Sequence, residues 1–128
     1  MQYCPCGSQK NYIECCGVFI EGKKKPLTPE ALMRSRYVAY TQANMTYIAK
    51  TMKSPASDHF DAKLSGKWAK KVEWLGLEVK ASSFQNTKGF VEFIAHFKEN
   101  KKSAFIHERS EFHCENGIWY YVDGVHLA

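Results

Sequence analysis

The apolar residues of this chain recur with two different periods, and the period changes near residue 74. Between residue 29 and about residue 52, apolar side chains return at steps of three and four residues, which predicts one long amphipathic helix. Thr28 before Pro29 is a favourable N-cap, and Ser54-Pro55 is expected to end the helix. The stripe on its buried face consists of Met33, Tyr37, Tyr40, Asn44, Tyr47, Ile48 and Met52.

From residue 74 onward the period is two residues, as half-buried β-strands require. Strands are predicted at residues 75–81, 91–97, 104–114 and 118–123, and short helical turns are predicted before them at 58–63 and 66–71. Asn116-Gly117 is a strong signal for a two-residue hairpin turn. A helix followed by an antiparallel meander predicts an α+β fold in which the long N-terminal helix packs on one face of the sheet.

Four of the five cysteines lie in the first sixteen residues, as Cys4-Pro-Cys6 and Cys15-Cys16. Two close pairs of thiolates can surround Zn²⁺ tetrahedrally, with sulfur–metal distances of about 2.3 Å. A disulfide is disfavoured, because neighbouring cysteines form a strained bridge and no apolar signal stretch follows Met1. The sequence therefore predicts a structural zinc site, with redox chemistry and free thiols as the alternatives.

The stretch CPCGSQKNYIECCG at residues 4–17 resembles the SEC-C motif, a small zinc-binding module. Three further stretches are similar to the bacterial YchJ-type family of SEC-C proteins, namely LMRSRYVAY at 32–40, HERSEF at 107–112 and WYYVDG at 119–124. The resemblance spans nearly the whole chain. It implies a zinc clip at residues 1–17, a linker at 18–28 and, at 29–128, a cystatin-like cone of the nuclear-transport-factor-two type with a curved sheet.

The resemblance implies no established biochemical activity. Gln9 and Asn11 replace the Gly and Lys that are usual in the motif, which leaves the clip less basic. Only Cys114 remains beyond the clip, so one zinc ion is expected.

Composition limits the choice of partners. The chain of 128 residues suits one modest core with an appendage, and its 45% apolar residues exclude general disorder. No apolar run approaches the roughly 20 residues that span a bilayer, so a cytoplasmic protein with no membrane contact is expected. The formal charge of +5 is spread along the sequence, which is a weak indication of a ribosomal RNA partner. An exposed sheet face would also permit a dimer.

A candidate pocket follows from the hairpin register. The Asn116-Gly117 turn places Phe112 opposite Tyr121 and Ser110 opposite Asp123, with these side chains on the face that lies beneath the helix. The candidate lining consists of Arg36, Tyr37, Tyr40, Glu108, Ser110, Phe112, Trp119, Tyr121 and Asp123.

Carboxylates on this face need partners if they are buried. Glu108 or Asp123 is expected to pair with Arg34 or Arg36, or with a tyrosine hydroxyl of the helix, and thereby to orient the helix on the sheet. The alternative is that the same residues bind a small molecule.

Two functions remain at this point. In the first, the chain is a non-enzymatic adaptor whose clip presents Tyr3, Lys10, Tyr12 and Ile13 to a protein or ribosomal partner. In the second, the cavity of the cone binds a small molecule or houses an enzyme. No residue is assigned a catalytic role.

Overall fold

The computed structural model describes residues 2–127, in which helices precede strands. The helices are α1 (Cys16–Ile20), α2 (Pro29–Thr41), α3 (Met45–Lys50) and α4 (Ala62–Lys71), with 3₁₀ turns at Tyr12–Glu14 and Ala56–His59. The strands are β1 (Glu73–Gln85), β2 (Lys88–Glu99), β3 (Lys102–Glu115) and β4 (Ile118–His126). Within the described residues they form a curved antiparallel sheet in the order β1-β2-β3-β4. The predicted α+β class is confirmed.

The prediction of one long helix at residues 29–52 is wrong, because the chain divides there into α2 and α3. Helix α2 begins as expected, with the Thr28 Oγ1 atom accepting a hydrogen bond from Ala31 N at 3.0 Å. After α2, Ala43 adopts a left-handed φ of 53°. Asn44 Oδ1 then accepts a hydrogen bond from Tyr47 N at 3.1 Å and caps α3. The apolar spacing continues across the break because both helices bury residues in the same core cluster.

Residues 56–71 contain more helix than the two short turns that the sequence predicts. A 3₁₀ turn is followed by the ten-residue helix α4, which Asp61 caps by accepting a hydrogen bond from Leu64 N at 3.0 Å. Leu64, Trp68 and Val72 recur at four-residue steps, which is a helical signal, although only Ala69 of α4 is buried. Trp68 fixes α4 on the sheet by meeting the Trp74 ring edge to face, with 5.4 Å between the ring centroids.

The register of the β3–β4 hairpin is confirmed as far as Phe112 opposite Tyr121. Beyond that pair a β-bulge adds one residue to β4, so Ser110 lies opposite Gly124 and the predicted pairing of Ser110 with Asp123 is wrong. Asp123 is exposed, and its Oδ1 atom accepts a hydrogen bond from Gly124 N at 2.9 Å. An alternating pattern cannot locate a bulge, because polar and apolar residues alternate on both sides of it.

The main core lies between α2 and the concave face of the sheet. Its fully or nearly fully buried members are Leu32, Met33, Val91, Phe112 and Trp119. Among residues 2–127, no helix has both the length and the apolar composition needed to cross a bilayer.

The N-terminal clip is packed against this core. One cluster of buried residues combines three clip cysteines with residues of α2 and β2, namely Cys4, Cys6, Cys16, Tyr37, Val38 and Ala95. Helix α1 crosses the boundary predicted between residues 17 and 18, so residues 18–20 are helical rather than linker.

Candidate metal centre and cavity

The four clip cysteines converge on one point. The Sγ atoms of Cys4, Cys6, Cys15 and Cys16 all lie within 4.8 Å of one another. Cys6 and Cys15 are 3.7 Å apart at sulfur, and Cys15 and Cys16 are 4.0 Å apart. A tetrahedral Zn²⁺ site with bonds of about 2.3 Å requires sulfurs roughly 3.8 Å apart. The donor set therefore fits a tetrahedral metal that prefers sulfur ligands, and the four cysteines can bind one.

A small hairpin and a helix start bring these cysteines together. Cys4 N donates to Lys10 O at 2.7 Å, which closes the hairpin that carries Cys4 and Cys6. The 3₁₀ turn after it delivers Cys15 and Cys16 to the start of α1. Gln9 has a left-handed φ of 68°, which explains why glycine is usual at this position of the SEC-C motif.

Crowding gives three of the clip thiols unequal acidities. A hydrogen bond from Cys16 lowers the pKa of Cys6 to about 4, whereas burial raises the pKa of Cys4 to about 11. The hydrogen bond to Cys6, together with burial, raises the pKa of Cys16. Cys4, Cys6 and Cys16 therefore do not ionise together unless a cation compensates their charge. A bound divalent metal supplies that charge, since a coordinating thiol is deprotonated.

Polar contacts attach the clip to the cone. Arg34 Nη1 donates to the Cys6 carbonyl oxygen at 2.7 Å, and Arg34 Nε donates to Glu30 Oε2 at 3.0 Å. Gln42 Nε2 donates to the Tyr12 hydroxyl at 2.9 Å. Arg34 lies in α2 and Gln42 is the C-cap of this helix, so α2 sets the position of the clip relative to the sheet.

The predicted contacts of the clip with a partner fall into two groups. Tyr3 and Ile13 are each 71% exposed, and Lys10 is exposed on the same module. Tyr12, in contrast, is half-buried. Its ring packs on Gly17, and its hydroxyl accepts a hydrogen bond from Gln42. Tyr12 therefore has an internal role, which leaves Tyr3, Lys10 and Ile13 available to a partner.

A cavity of about 300 Å³ lies between α2, α4 and the concave sheet face. Seven of the nine residues predicted for the pocket line it: Arg36, Tyr37, Tyr40, Glu108, Ser110, Phe112 and Tyr121. Trp119 and Asp123 do not, because Trp119 packs in the main core and the bulge turns Asp123 outward. The sequence reasoning left out Trp68, Trp74 and His126 as lining residues. Of these three, only Trp74 has a local sequence signal, because it stands where the two-residue apolar period of the strands begins.

Glu108 is the carboxylate of this cavity, with its side chain 12% exposed. Its Oε2 atom accepts hydrogen bonds from Ser110 Oγ at 2.5 Å and from the Tyr121 hydroxyl at 3.0 Å. A Cβ atom at Gly124 would collide with Glu108 Oε2 and lie 2.5 Å from the Tyr121 hydroxyl. The bulge therefore places a glycine at a register position where a side chain would displace the Glu108 carboxylate and the Tyr121 hydroxyl. Burial, and then the Glu108 charge, raise the pKa of Tyr121, which stays protonated as a donor.

Arg36 is the cation of the cavity and does not pair directly with Glu108. Its Nη1 atom donates to Ile48 O at 2.9 Å and to Thr51 Oγ1 at 2.6 Å. Its guanidinium carbon lies 4.6 Å from the centroid of the Tyr121 ring. Burial lowers the pKa of Arg36, yet a guanidinium keeps its proton at neutral pH. The predicted pairing of Glu108 with an arginine or a helix tyrosine is wrong, because Glu108 accepts its hydrogen bonds from Ser110 and from Tyr121 of β4.

The fold and the cysteine cluster together define a class, that of SEC-C-type proteins in which a four-cysteine clip is packed on an NTF2-like cone. The model of the family described as "YchJ, middle NTF2-like domain" matches residues 28–124. The chain belongs to this YchJ-like family.

Relatives agree with this assignment along the whole chain. A UPF0225 protein of Geobacter sulfurreducens is 40% identical over 124 residues, which cover 94% of this chain and 77% of the relative. The solution structure of a SEC-C motif containing protein from Rhodopseudomonas palustris is 38% identical, with a TM-score of 0.91 over 99% of this chain and 100% of that one. The crystal structure of a SEC-C motif containing protein from Psychrobacter arcticus is 30% identical, with a TM-score of 0.84 over 100% of this chain and 84% of that one.

Proposed function

We propose that the chain is a zinc-binding protein in which Cys4, Cys6, Cys15 and Cys16 hold one Zn²⁺. The observation that supports this proposal is the convergence of the four Sγ atoms within 4.8 Å. Four protein ligands leave no open coordination position, so the metal stabilises structure and does not activate water. X-ray absorption at the zinc edge is expected to give four sulfur neighbours at about 2.3 Å. A first shell that contains nitrogen or oxygen would contradict the assignment.

The clip further serves as the recognition surface of a cytoplasmic adaptor that contacts a protein or ribosomal partner. Tyr3 and Ile13 support this role, because two large apolar side chains are exposed on the module that buries Cys4, Cys6 and Cys16. Lys10 adds a positive charge beside them and favours an acidic or nucleic-acid-rich partner.

The adaptor role is tested by affinity capture from a bacterial extract with the zinc-loaded protein. The variant Tyr3→Ser/Ile13→Ser is compared with Phe105→Ser, which removes an apolar side chain that is 59% exposed on β3, away from the clip. Partners that the wild type retains are expected to be lost with the clip variant and kept with the β3 variant. Equal capture by all three proteins would mean that the clip is only structural.

A second function, the binding of a small molecule in the cavity, is supported by the charged groups Arg36 and Glu108 that line about 300 Å³ of space. Native mass spectrometry of the gently purified protein is expected to show a retained small molecule. Alternatively, a screen of metabolites is expected to find a compound that raises the melting temperature of the protein. Failure of both measurements would contradict the function.

A further inference from the structure

We propose that the cavity binds a small aromatic zwitterion, such as an α-amino acid with an aromatic side chain. Glu108 receives the ammonium group, Arg36 receives the carboxylate, and the aromatic walls enclose the ring. The proposal rests on the second function above and adds the chemical class of the ligand.

Glu108 has an acceptor atom to spare. Its Oε2 atom takes both hydroxyl hydrogen bonds, from Ser110 and Tyr121. Within residues 2–127, the nearest basic side-chain nitrogen to Oε1 is Nε2 of His126, at 3.9 Å, which is too far for a hydrogen bond. A largely buried carboxylate oxygen thus faces the cavity, where an ammonium group can donate to it.

Arg36 has donors to spare. The residue is 7% exposed, and both of its hydrogen bonds leave from Nη1. In the described chain, no wholly buried side-chain nitrogen or oxygen lacks a partner. The Nε and Nη2 atoms, which have no acceptor there, must therefore face open space, and the cavity is the space that Arg36 lines. A guanidinium edge with two free donors matches a carboxylate.

The two charges are held at a fixed spacing by Tyr121. The guanidinium of Arg36 stacks on the ring of Tyr121, while the hydroxyl of the same residue donates to Glu108 at 3.0 Å. Arg36 and Glu108 thus contact two parts of one side chain, the ring face and the hydroxyl, without forming an ion pair with each other. A molecule that carries an amine and a carboxylate on one carbon can contact both groups. An amine alone would meet the repulsion of Arg36, and an acid alone would meet that of Glu108.

The remaining walls favour an aromatic body of limited size. Trp68, Trp74 and Phe93 line the cavity together with Tyr40. A volume of about 300 Å³ lies at the lower end of the range for small-ligand sites, which excludes dinucleotides and extended lipids. One aromatic ring with a short zwitterionic head fits these limits.

The test uses the zinc-loaded full chain and three matched probes in isothermal titration calorimetry: L-phenylalanine, phenethylamine and 3-phenylpropionate. Phenylalanine is expected to bind at least tenfold more tightly than either singly charged analogue. In Glu108→Gln, an isosteric change, phenylalanine and 3-phenylpropionate are expected to bind equally. The control Glu92→Gln alters a carboxylate bonded to His107 on the opposite sheet face and should behave as wild type. Arg36→Met, which removes the positive charge and is checked for folding by circular dichroism, should equalise the binding of phenylalanine and phenethylamine.

The outcomes separate the two proposals. Equal binding of all three probes would overturn the zwitterion while leaving the cavity a ligand site. An unchanged preference in Glu108→Gln would likewise overturn it. If no probe binds and the cavity also retains no metabolite, both the ligand class and the second function are contradicted.

Discussion

Gly17 lies in α1, immediately after the candidate metal ligand Cys16, and the turn that carries Tyr12 packs directly on it. A Cβ atom at this position would lie 2.7 Å from the Tyr12 carbonyl oxygen and 2.8 Å from Cε2 of its ring. The backbone oxygen cannot rotate away, and the ring is held by the hydrogen bond from Gln42. The substitution Gly17→Ala must therefore move the 3₁₀ turn that delivers Cys15 to the metal.

The magnitude follows from two opposed effects. Replacing glycine by alanine inside a helix stabilises it by about 0.5–1 kcal/mol. Forcing a methyl group into occupied space costs about 1–3 kcal/mol. Because the closest atom is a backbone oxygen, the upper part of this range applies, about 2–3 kcal/mol, and subtracting a gain of about 1 kcal/mol leaves a net loss of about 1–2 kcal/mol. The loss is expected to fall on metal binding by the clip, because metal binding and clip folding are coupled. The zinc dissociation constant is expected to rise about 5- to 30-fold.

Competition with a fluorescent zinc chelator measures this constant in the two proteins. The matched control is Gly66→Ala in α4, where the added Cβ meets only the flexible Met45 side chain, with 3.1 Å to its Cγ. This control should keep the wild-type zinc affinity and melt at the same temperature or slightly higher. Wild-type affinity in Gly17→Ala would refute the packing described for the clip, as would an equal loss in both variants.

Three further substitutions give expected outcomes with separate readouts. Arg34→Met removes the hydrogen bond to the Cys6 carbonyl, worth about 1–2 kcal/mol for a charged donor that is partly exposed, and should weaken zinc binding about 5- to 30-fold by the same competition assay. Phe112→Ala empties a fully buried core position and should lower the free energy of unfolding in urea by about 3–5 kcal/mol. Gly124→Ala displaces the Glu108 carboxylate and should reduce phenylalanine binding at least tenfold in calorimetry, while elemental analysis still finds the wild-type metal content. If each of the three substitutions changed zinc affinity, unfolding free energy and phenylalanine binding alike, the clip, core and cavity would not be independent parts of the molecule.

Much of the fold is predictable because its signals are local. The change of period near residue 74 and the Asn116-Gly117 turn predict the meander and the hairpin register up to Tyr121. The break after α2 carries one local signal, the N-cap residue Asn44, but alanine at position 43 is a good helix former and its left-handed φ is unusual. Helix α4 has a four-residue apolar spacing, but it contains Gly66 and buries only one residue, so its length is hard to predict.

The two sites differ in how much the sequence reveals. The candidate metal ligands are readable because all four lie within sixteen residues, where a short hairpin and a helix start bring them together. The cavity is assembled from α2, α4 and all four strands, so only the tertiary structure shows that Trp68 and His126 line it. The bulge that removes Asp123 from the cavity is a departure from regular pairing that an alternating pattern cannot predict.

The central claim is that four cysteines of the clip hold one zinc ion, which stabilises the folded clip. The most direct test is elemental mass spectrometry of metal per chain, on protein purified without added metal, for the wild type and for Cys15→Ser and Cys114→Ser. Cys114 lies on β3, outside the cysteine cluster, and serves as the control thiol. We expect one zinc per chain in the wild type and in Cys114→Ser, and a marked loss in Cys15→Ser. Absence of zinc from the wild type, or its full retention in Cys15→Ser, would contradict the account.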